Sequence, residues 1–222
     1  MQIKIAPSIL SADFSRMGEA VGLCERSGAD LIHCDVMDGS FVGPITFGGQ
    51  MVKNIRPVTK LPLDVHLMIE HPKTQIKFFA EAGADIITVH YEACAKISEN
   101  YLRETLELIK SYGVKCGAVV NPDVPVQNIF PVFDLCDMVL IMSVFPGYGG
   151  QKFIEGSLEK IRSAREYAKI IGKPELDIEV DGGINAKTAP LVIDAGANVL
   201  VAGSALFSAP DFAAATGELR GQ

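Results

Sequence analysis

SGADLIHCDVMDG, Ser27 to Gly39, begins as the end of a helix and finishes as a strand carrying a histidine and an aspartate, two groups that are costly to bury. Its opening recurs. Ala82-Gly83-Ala84-Asp85-Ile86-Ile87 and Ala195-Gly196-Ala197-Asn198-Val199-Leu200 repeat Ser27-Gly28-Ala29-Asp30-Leu31-Ile32. In each, a glycine suited to the left-handed cap conformation ends a helix, and an apolar run follows at once. The helical spacing upstream agrees: Met17, Ala20, Val21 and Cys24 fall at i, i+3, i+4 and i+7, as do Thr188, Leu191, Val192 and Ala195.

Apolar or β-branched runs bounded by Gly, Pro, Asn or Asp predict eight strands, near 3–8, 31–37, 62–68, 86–91, 115–120, 138–144, 176–181 and 198–202. Most intervals between them hold a helix-sized segment. The expected fold class is therefore α/β, a (β/α)8 TIM barrel of eight parallel strands forming one domain over residues 1–222. An open doubly wound sheet is the competing architecture, and the first strand is not followed by the G-x-G-x-x-G that such a sheet often carries. The weakest units are the one after 115–120, where Pro122, Pro125 and Pro131 leave room for only a short helix, and the last, whose tail is brief.

Composition narrows the function. A hydrophobic fraction of 48% suits strands covered on both faces, and no apolar run reaches the roughly 18 residues of a membrane helix. The opening MQIKIAPSIL lacks the features of a signal peptide, so a cytoplasmic location is expected, with no membrane partner. Five scattered cysteines, without a C-x-x-C pair, read as small core residues. A net charge of −7 and the absence of a Lys/Arg cluster argue against nucleic-acid binding.

Side chains alternate along a strand, so His33 and Asp35 share a face that Met37 continues. Asp64, His66 and Met68 share a parity on the next strand, and Asp181 closes the strand Ile178–Asp181. In a barrel, His33, Asp35, His66 and Asp181 converge at the catalytic end of the strands. Two imidazoles and two carboxylates suit one divalent ion, zinc, iron, manganese or cobalt, although each residue taken singly also reads as a hydrogen-bonded core group. By the same alternation Lys4, Asp64 and Glu179 point into the barrel below the site, and Lys4 is the expected counter-charge for a carboxylate there. Gly147-Tyr148-Gly149-Gly150, Gly182-Gly183 and Gly203-Ser204 follow the sixth, seventh and eighth strands. Such glycines either make tight turns or let backbone N–H groups approach an anion, and the second reading implies a phosphorylated substrate.

With these residues in place the chain resembles the ribulose-phosphate 3-epimerases over nearly its whole length. The resemblance is carried by Ala6-Pro7-Ser8-Ile9-Leu10, HCDVMDGSFV, DVHLMIEHP, MSVFPGYGGQKF, EVDGGIN and VAGSALF. It implies a cytoplasmic enzyme of the pentose phosphate pathway that interconverts ribulose 5-phosphate and xylulose 5-phosphate with one divalent ion, zinc or iron first, held by His33, Asp35, His66 and Asp181. Asp35 and Asp181 would be the acid/base pair, Ser8 and His66 would touch the sugar, and the glycine stretches with Tyr148 and Ser204 would hold phosphate. Met37, Met68 and Met142 would cap the reacting carbon, and the chain would form a homo-oligomer, dimer or hexamer.

Two departures bear on the sugar: Gly43-Pro44 stands where the family usually reads Pro-Asn, and Phe145 precedes Pro146 where a polar residue is common. They keep 3-epimerisation of allulose 6-phosphate as an alternative. A non-catalytic sugar-phosphate binding barrel is a further one, but no acidic group or ligand is missing. A related barrel group with D-x-K-x-x-D is disfavoured because the equivalent run, His33-x-Asp35-x-x-Asp38, has no lysine. Asp38 reads as a turn-organising residue, His90 as a hydrogen-bonded core residue and His71 as exposed.

Overall fold

The glycine in each repeated stretch starts a strand on its course. Gly28, Gly83 and Gly196 have φ of +79°, +97° and +113°. The N–H of the next alanine then returns to a carbonyl five residues earlier, Ala29 to Cys24, Ala84 to Phe79 and Ala197 to Val192, as in a Schellman cap. The following Asp or Asn fixes register: Asp30 accepts the Ile5 N–H, Asp85 the Leu63 N–H and Asn198 the Ile178 N–H, each at 2.8 Å. Asp137 does the same for the Cys116 N–H at 3.0 Å. No glycine precedes Asp137, so the device is used once more than the sequence repeat reveals.

The computed structural model describes residues 1–221; Gln222, the last residue of the expected domain, lies outside them. The strands are β1 (Lys4–Pro7), β2 (Ile32–Met37), β3 (Leu63–Met68), β4 (Ile86–His90), β5 (Lys115–Val120), β6 (Met138–Met142), β7 (Asp177–Asp181) and β8 (Val199–Ala202). They run parallel in the order β1-β8-β7-β6-β5-β4-β3-β2. A parallel bridge from Ser8 to His33 brings β1 back to β2 and closes the barrel. Around it lie α1 (Met17–Arg26), α2 (Gly49–Ile55), α3 (Ile76–Glu81), α4 (Tyr91–Ala95), α5 (Tyr101–Ser111), α6 (Ser157–Ile170), α7 (Ala189–Ala195), α8 (Ser204–Phe207) and α9 (Phe212–Leu219).

The predicted strands agree with these to within two residues at either end. The unit after β5 holds a short 3-10 helix, Val126–Val132, with Pro131 inside it, whereas the brief C-terminal tail still accommodates α8 and α9. On α7 the buried residues are Ala189, Val192 and Ala195, and Leu191 is 44% exposed. The apolar stripe is therefore narrower than its spacing suggested. All five cysteines are buried and free. Among the described residues no helix is long and apolar enough to cross a membrane.

Outward-facing strand residues such as Cys34, Val65 and Ile87 pack beneath the helices, while Ala6, Ile86, Met138, Val199 and Val201 form an apolar cluster of their own. Asp64 and Glu179 are fully buried, as expected. Lys4 does not serve them: its Nζ bonds Asp177 at 2.7 and 2.9 Å. Both residues open their strands and stay partly hydrated, so this pair avoids the desolvation that a lysine beside Asp64 would incur.

Asn198 is a test of the register device. It is buried, accepts Arg165 Nη2 at 3.0 Å and donates to Asp177 at 2.6 Å, besides holding the Ile178 N–H. Asn198→Ala leaves buried donors without an acceptor and is expected to lower unfolding free energy by about 1–3 kcal/mol. Urea unfolding reads the shift, and an unchanged midpoint would contradict the account.

Candidate active site

The register of β2 against β3 pairs His33 with Asp64, Asp35 with His66 and Met37 with Met68. Since each set alternates and the two sets are paired in register, all six share one face, and two adjacent strands stack their polar groups in layers inside the barrel. β7 adds Glu179 and Asp181, with Asp181 paired to Met142 of β6. Ser8 follows β1 directly and donates its hydroxyl to Asp35 Oδ2 at 2.5 Å.

His33, Asp35, His66 and Asp181 come together: one ligand atom from each lies within 4.8 Å of the others. Asp35 Oδ1 is 3.3 Å from His33 Nε2 and 3.1 Å from His66 Nδ1. On its far side His33 Nδ1 meets Asp64 Oδ2 at 2.6 Å, with Glu179 Oε1 at 3.5 Å. With a proton held on Nδ1 by Asp64, His33 can offer Nε2 to a cation, facing the two aspartates, and Nε2 has no hydrogen-bond partner although fully buried. A buried nitrogen without a partner, beside one more imidazole and two carboxylates, is a donor set that fits a divalent cation.

The protein groups alone drive the two aspartates apart. Burial by itself would raise Asp35, but His33 and His66 beside it outweigh that and hold its carboxyl far below the usual range. Burial, and then the charge of Asp35, pushes Asp181 up to about 7. Burial also takes His66 down to about 4. For His33 burial is overcome by Asp35, Asp64 and Glu179, which raise it, while burial and Asp64 push Glu179 well above the ordinary glutamate value.

Asp35 and Asp181 open on a cleft at the C-terminal mouth of the barrel. Ser8, Met37, Met68 and Met142 line its floor, and Gly147, Tyr148, Gly149, Gly150, Gly182, Gly183, Gly203 and Ser204 line its rim. His33 and His66 lie beneath, fully buried. Gly183, at φ +66°, cannot be replaced without strain, because a Cβ there would come within 2.6 Å of the Phe153 backbone nitrogen. The lining includes no lysine or arginine. An anion entering this rim would meet backbone N–H groups and hydroxyls.

Several residues at the site were not singled out from sequence. Ser11 lines the cleft, and its Oγ occupies the space that a Cβ on Gly203 would need. Gln151 also lines it and staples the 145–150 loop by donating to the carbonyls of Phe145 and Tyr148 at 2.7 and 2.9 Å. Both lie within motifs already quoted or beside them, but neither type carries a spacing signal. Asp38 organises its loop as expected, accepting the N–H groups of Ser40 and Phe41 at 2.8 Å and of Glu70 at 2.9 Å. His71 is exposed and lies outside the cluster, and His90 is a buried hydrogen-bonded residue. Phe145, exposed, and Gly43-Pro44 stand outside the polar cluster.

The ribulose-phosphate 3 epimerase family model matches residues 4–207. Ribulose-phosphate 3-epimerase of Bacillus subtilis (strain 168) is 57% identical over 219 residues, covering 99% of each chain. The chloroplastic ribulose-5-phosphate-3-epimerase of Arabidopsis thaliana is 51% identical over 213 residues, covering 96% of this chain and 74% of that one. Among solved structures, 3-hexulose-6-phosphate synthase superposes with a TM-score of 0.66 at 19% identity, over 100% of this chain and 99% of that one. KGPDC from Streptococcus mutans gives 0.70 at 14%, over 100% and 97%. At those identities the structural likeness speaks for the barrel alone.

Proposed function

The chain belongs to the ribulose-phosphate 3-epimerase family, and we propose that it interconverts D-ribulose 5-phosphate and D-xylulose 5-phosphate by moving a proton at C3. It is an isomerase acting on carbohydrates. The observation that carries the proposed chemistry is the pair of carboxyls, Asp35 and Asp181, opening on one cleft from β2 and β7 with acidities driven apart. Groups separated in this way can divide acid and base roles.

Inverting a carbon beside a ketone requires removal of its proton, a planar enediolate, and return of a proton to the other face. In this reading one aspartate takes the proton and the other returns one. Ser8, bonded to Asp35, orients both that carboxylate and a sugar hydroxyl, and His66 borders the sugar from below. Met37, Met68 and Met142 present apolar sulfur-bearing side chains that keep water from the reacting carbon. Residues 147–150, 182–183 and 203–204 receive the phosphate on backbone N–H groups and the Ser204 hydroxyl. His33, Asp35, His66 and Asp181 would hold one divalent ion, zinc or iron first and manganese or cobalt otherwise, which when bound supplies the positive charge an enediolate needs. The unit would be a single catalytic domain over 1–222, acting in the cytoplasm as a homo-oligomer to which exposed Ile45 and Phe78 offer apolar surface.

The deciding experiment is the product formed from each ketose phosphate. Incubated with D-ribulose 5-phosphate, the purified protein is expected to yield D-xylulose 5-phosphate faster than it converts D-allulose 6-phosphate. Turnover of the hexulose phosphate alone would replace this reading with the alternative that Gly43-Pro44 and Phe145 suggest.

A further inference from the structure

His66 is oriented from behind by a chain of contacts outside the cleft. Its Nδ1 faces Asp35 Oδ1 at 3.1 Å, and its Nε2 lies 2.8 Å from His90 Nε2. When two imidazole nitrogens meet at that distance, one donates and the other accepts. His90 Nδ1 in turn lies 3.1 Å from Glu92 Oε2, and Glu92 Oε1 accepts the Asn121 N–H at 2.7 Å. That N–H can only donate. Lys160 fixes its turn by donating to the carbonyls of Asn121, Pro122 and Val124 at 2.8, 2.6 and 2.6 Å. His66 and His90 are both fully buried, with the Phe41 ring 4.7 Å from the His90 ring and tilted by 48° to it.

Asp35, a carboxylate at the other end, calls for a proton on His66 Nδ1 in the protein alone; with a cation between them, the direction of every link is set by Glu92. Both Glu92 oxygens accept, so His90 carries its proton on Nδ1 and presents Nε2 as an acceptor. His66 then donates from Nε2 and keeps a lone pair on Nδ1, the nitrogen facing Asp35. We infer that Glu92 and His90 are positioning residues that set the tautomer of His66 so that Nδ1 is free for a cation. The inference rests on the metal reading given above. No proton is gained or lost along the chain; only its placement among ring nitrogens is set.

Glu92→Gln tests the direction. The amide has one accepting oxygen, which the fixed Asn121 N–H claims, so the NH2 group turns to His90 Nδ1. His90 must then carry its proton on Nε2, donate to His66 Nε2 and leave the His66 proton on Nδ1, where it blocks coordination. Zinc affinity, measured by competition with a chromogenic chelator, is expected to weaken about 10–100-fold. Ring ¹⁵N shifts of the zinc-loaded proteins, with only four histidines to assign, should show His66 protonated on Nε2 in the unmodified chain and not in Glu92→Gln. If Glu92→Gln fails to fold, His90→Phe, which removes the acceptor but keeps a ring, is expected to give the same loss of affinity. Unchanged affinity together with an unchanged His66 tautomer in a folded variant would overturn the relay. Failure of the unmodified protein to bind zinc would instead overturn the metal reading beneath it.

Discussion

Asp35→Asn and Asp181→Asn are each expected to slow epimerisation by about 10²–10⁴-fold, and to fail on opposite faces of the substrate. The two carboxyls reach the cleft from β2 and β7, strands well separated around the barrel, so a flat intermediate between them would meet one on each side. Asparagine keeps the shape and an oxygen while deleting the base. Each variant therefore retains the group on the other face, which can still exchange a proton at C3 without completing the inversion. In heavy water one variant should wash deuterium into ribulose 5-phosphate and the other into xylulose 5-phosphate, read by NMR of the recovered ketoses. Metal content has to be matched first, because both residues are also proposed ligands. Loaded variants that exchange the same epimer would point to a single base.

Much of the fold was legible because one short unit does two jobs. In Gly28-Ala29-Asp30, Gly83-Ala84-Asp85 and Gly196-Ala197-Asn198 the glycine caps a helix through a positive φ, a property visible in sequence. The acidic or amide residue then bonds a neighbouring strand, which is not visible, because nothing in the chain says which N–H it will meet. Strand parity carried further. Once β2 and β3 were placed, alternation alone put His33, Asp35 and Met37 on one face and Asp64, His66 and Met68 on another of the same sense. The parallel register then set them side by side.

Parity gives a direction and not a depth, and the errors lie there. Lys4 faces inward by alternation, yet it opens its strand and finds Asp177 at the partly hydrated N-terminal end of the barrel, whereas Asp64 and Glu179 sit far enough inside to exclude water. The contacts that hold the two histidines from behind were hidden for a related reason. His33 to Asp64 spans adjacent strands, and His66 to His90 to Glu92 crosses from β3 through β4 to the first turn of α4. Each link depends on side-chain reach between elements. His90 reads in sequence as a hydrogen-bonded core residue, which it is, but its partners decide what that bonding does.

Removing the proposed divalent ion with a strong chelator is expected to abolish turnover and to lower thermal stability together, with both restored by zinc. The stability arm follows from mass action: free zinc at a thousand times its dissociation constant adds about 4.1 kcal/mol to the folded state. His33→Ala and His66→Ala should lose that increment, and His71→Ala, whose side chain is exposed and outside the cluster, should keep it. The pH dependence separates the two forms. In the stripped protein Asp181 is held at about 7 against an ordinary 3.8, and Glu179 is raised well above 4.5, so the folded chain keeps protons that the unfolded chain releases. Stability therefore falls as pH rises above about 4. His66, lowered to about 4 from 6.5, works the other way across that interval, but it is one group against two, and above 6.5 the raised His33 joins the carboxyls. Metal binding needs deprotonated ligands and strengthens with pH, so loading should flatten or reverse the slope. Verified metal-free protein that turns over at the full rate would remove the centre from the mechanism, and identical pH slopes with and without zinc would remove these four residues as its ligands.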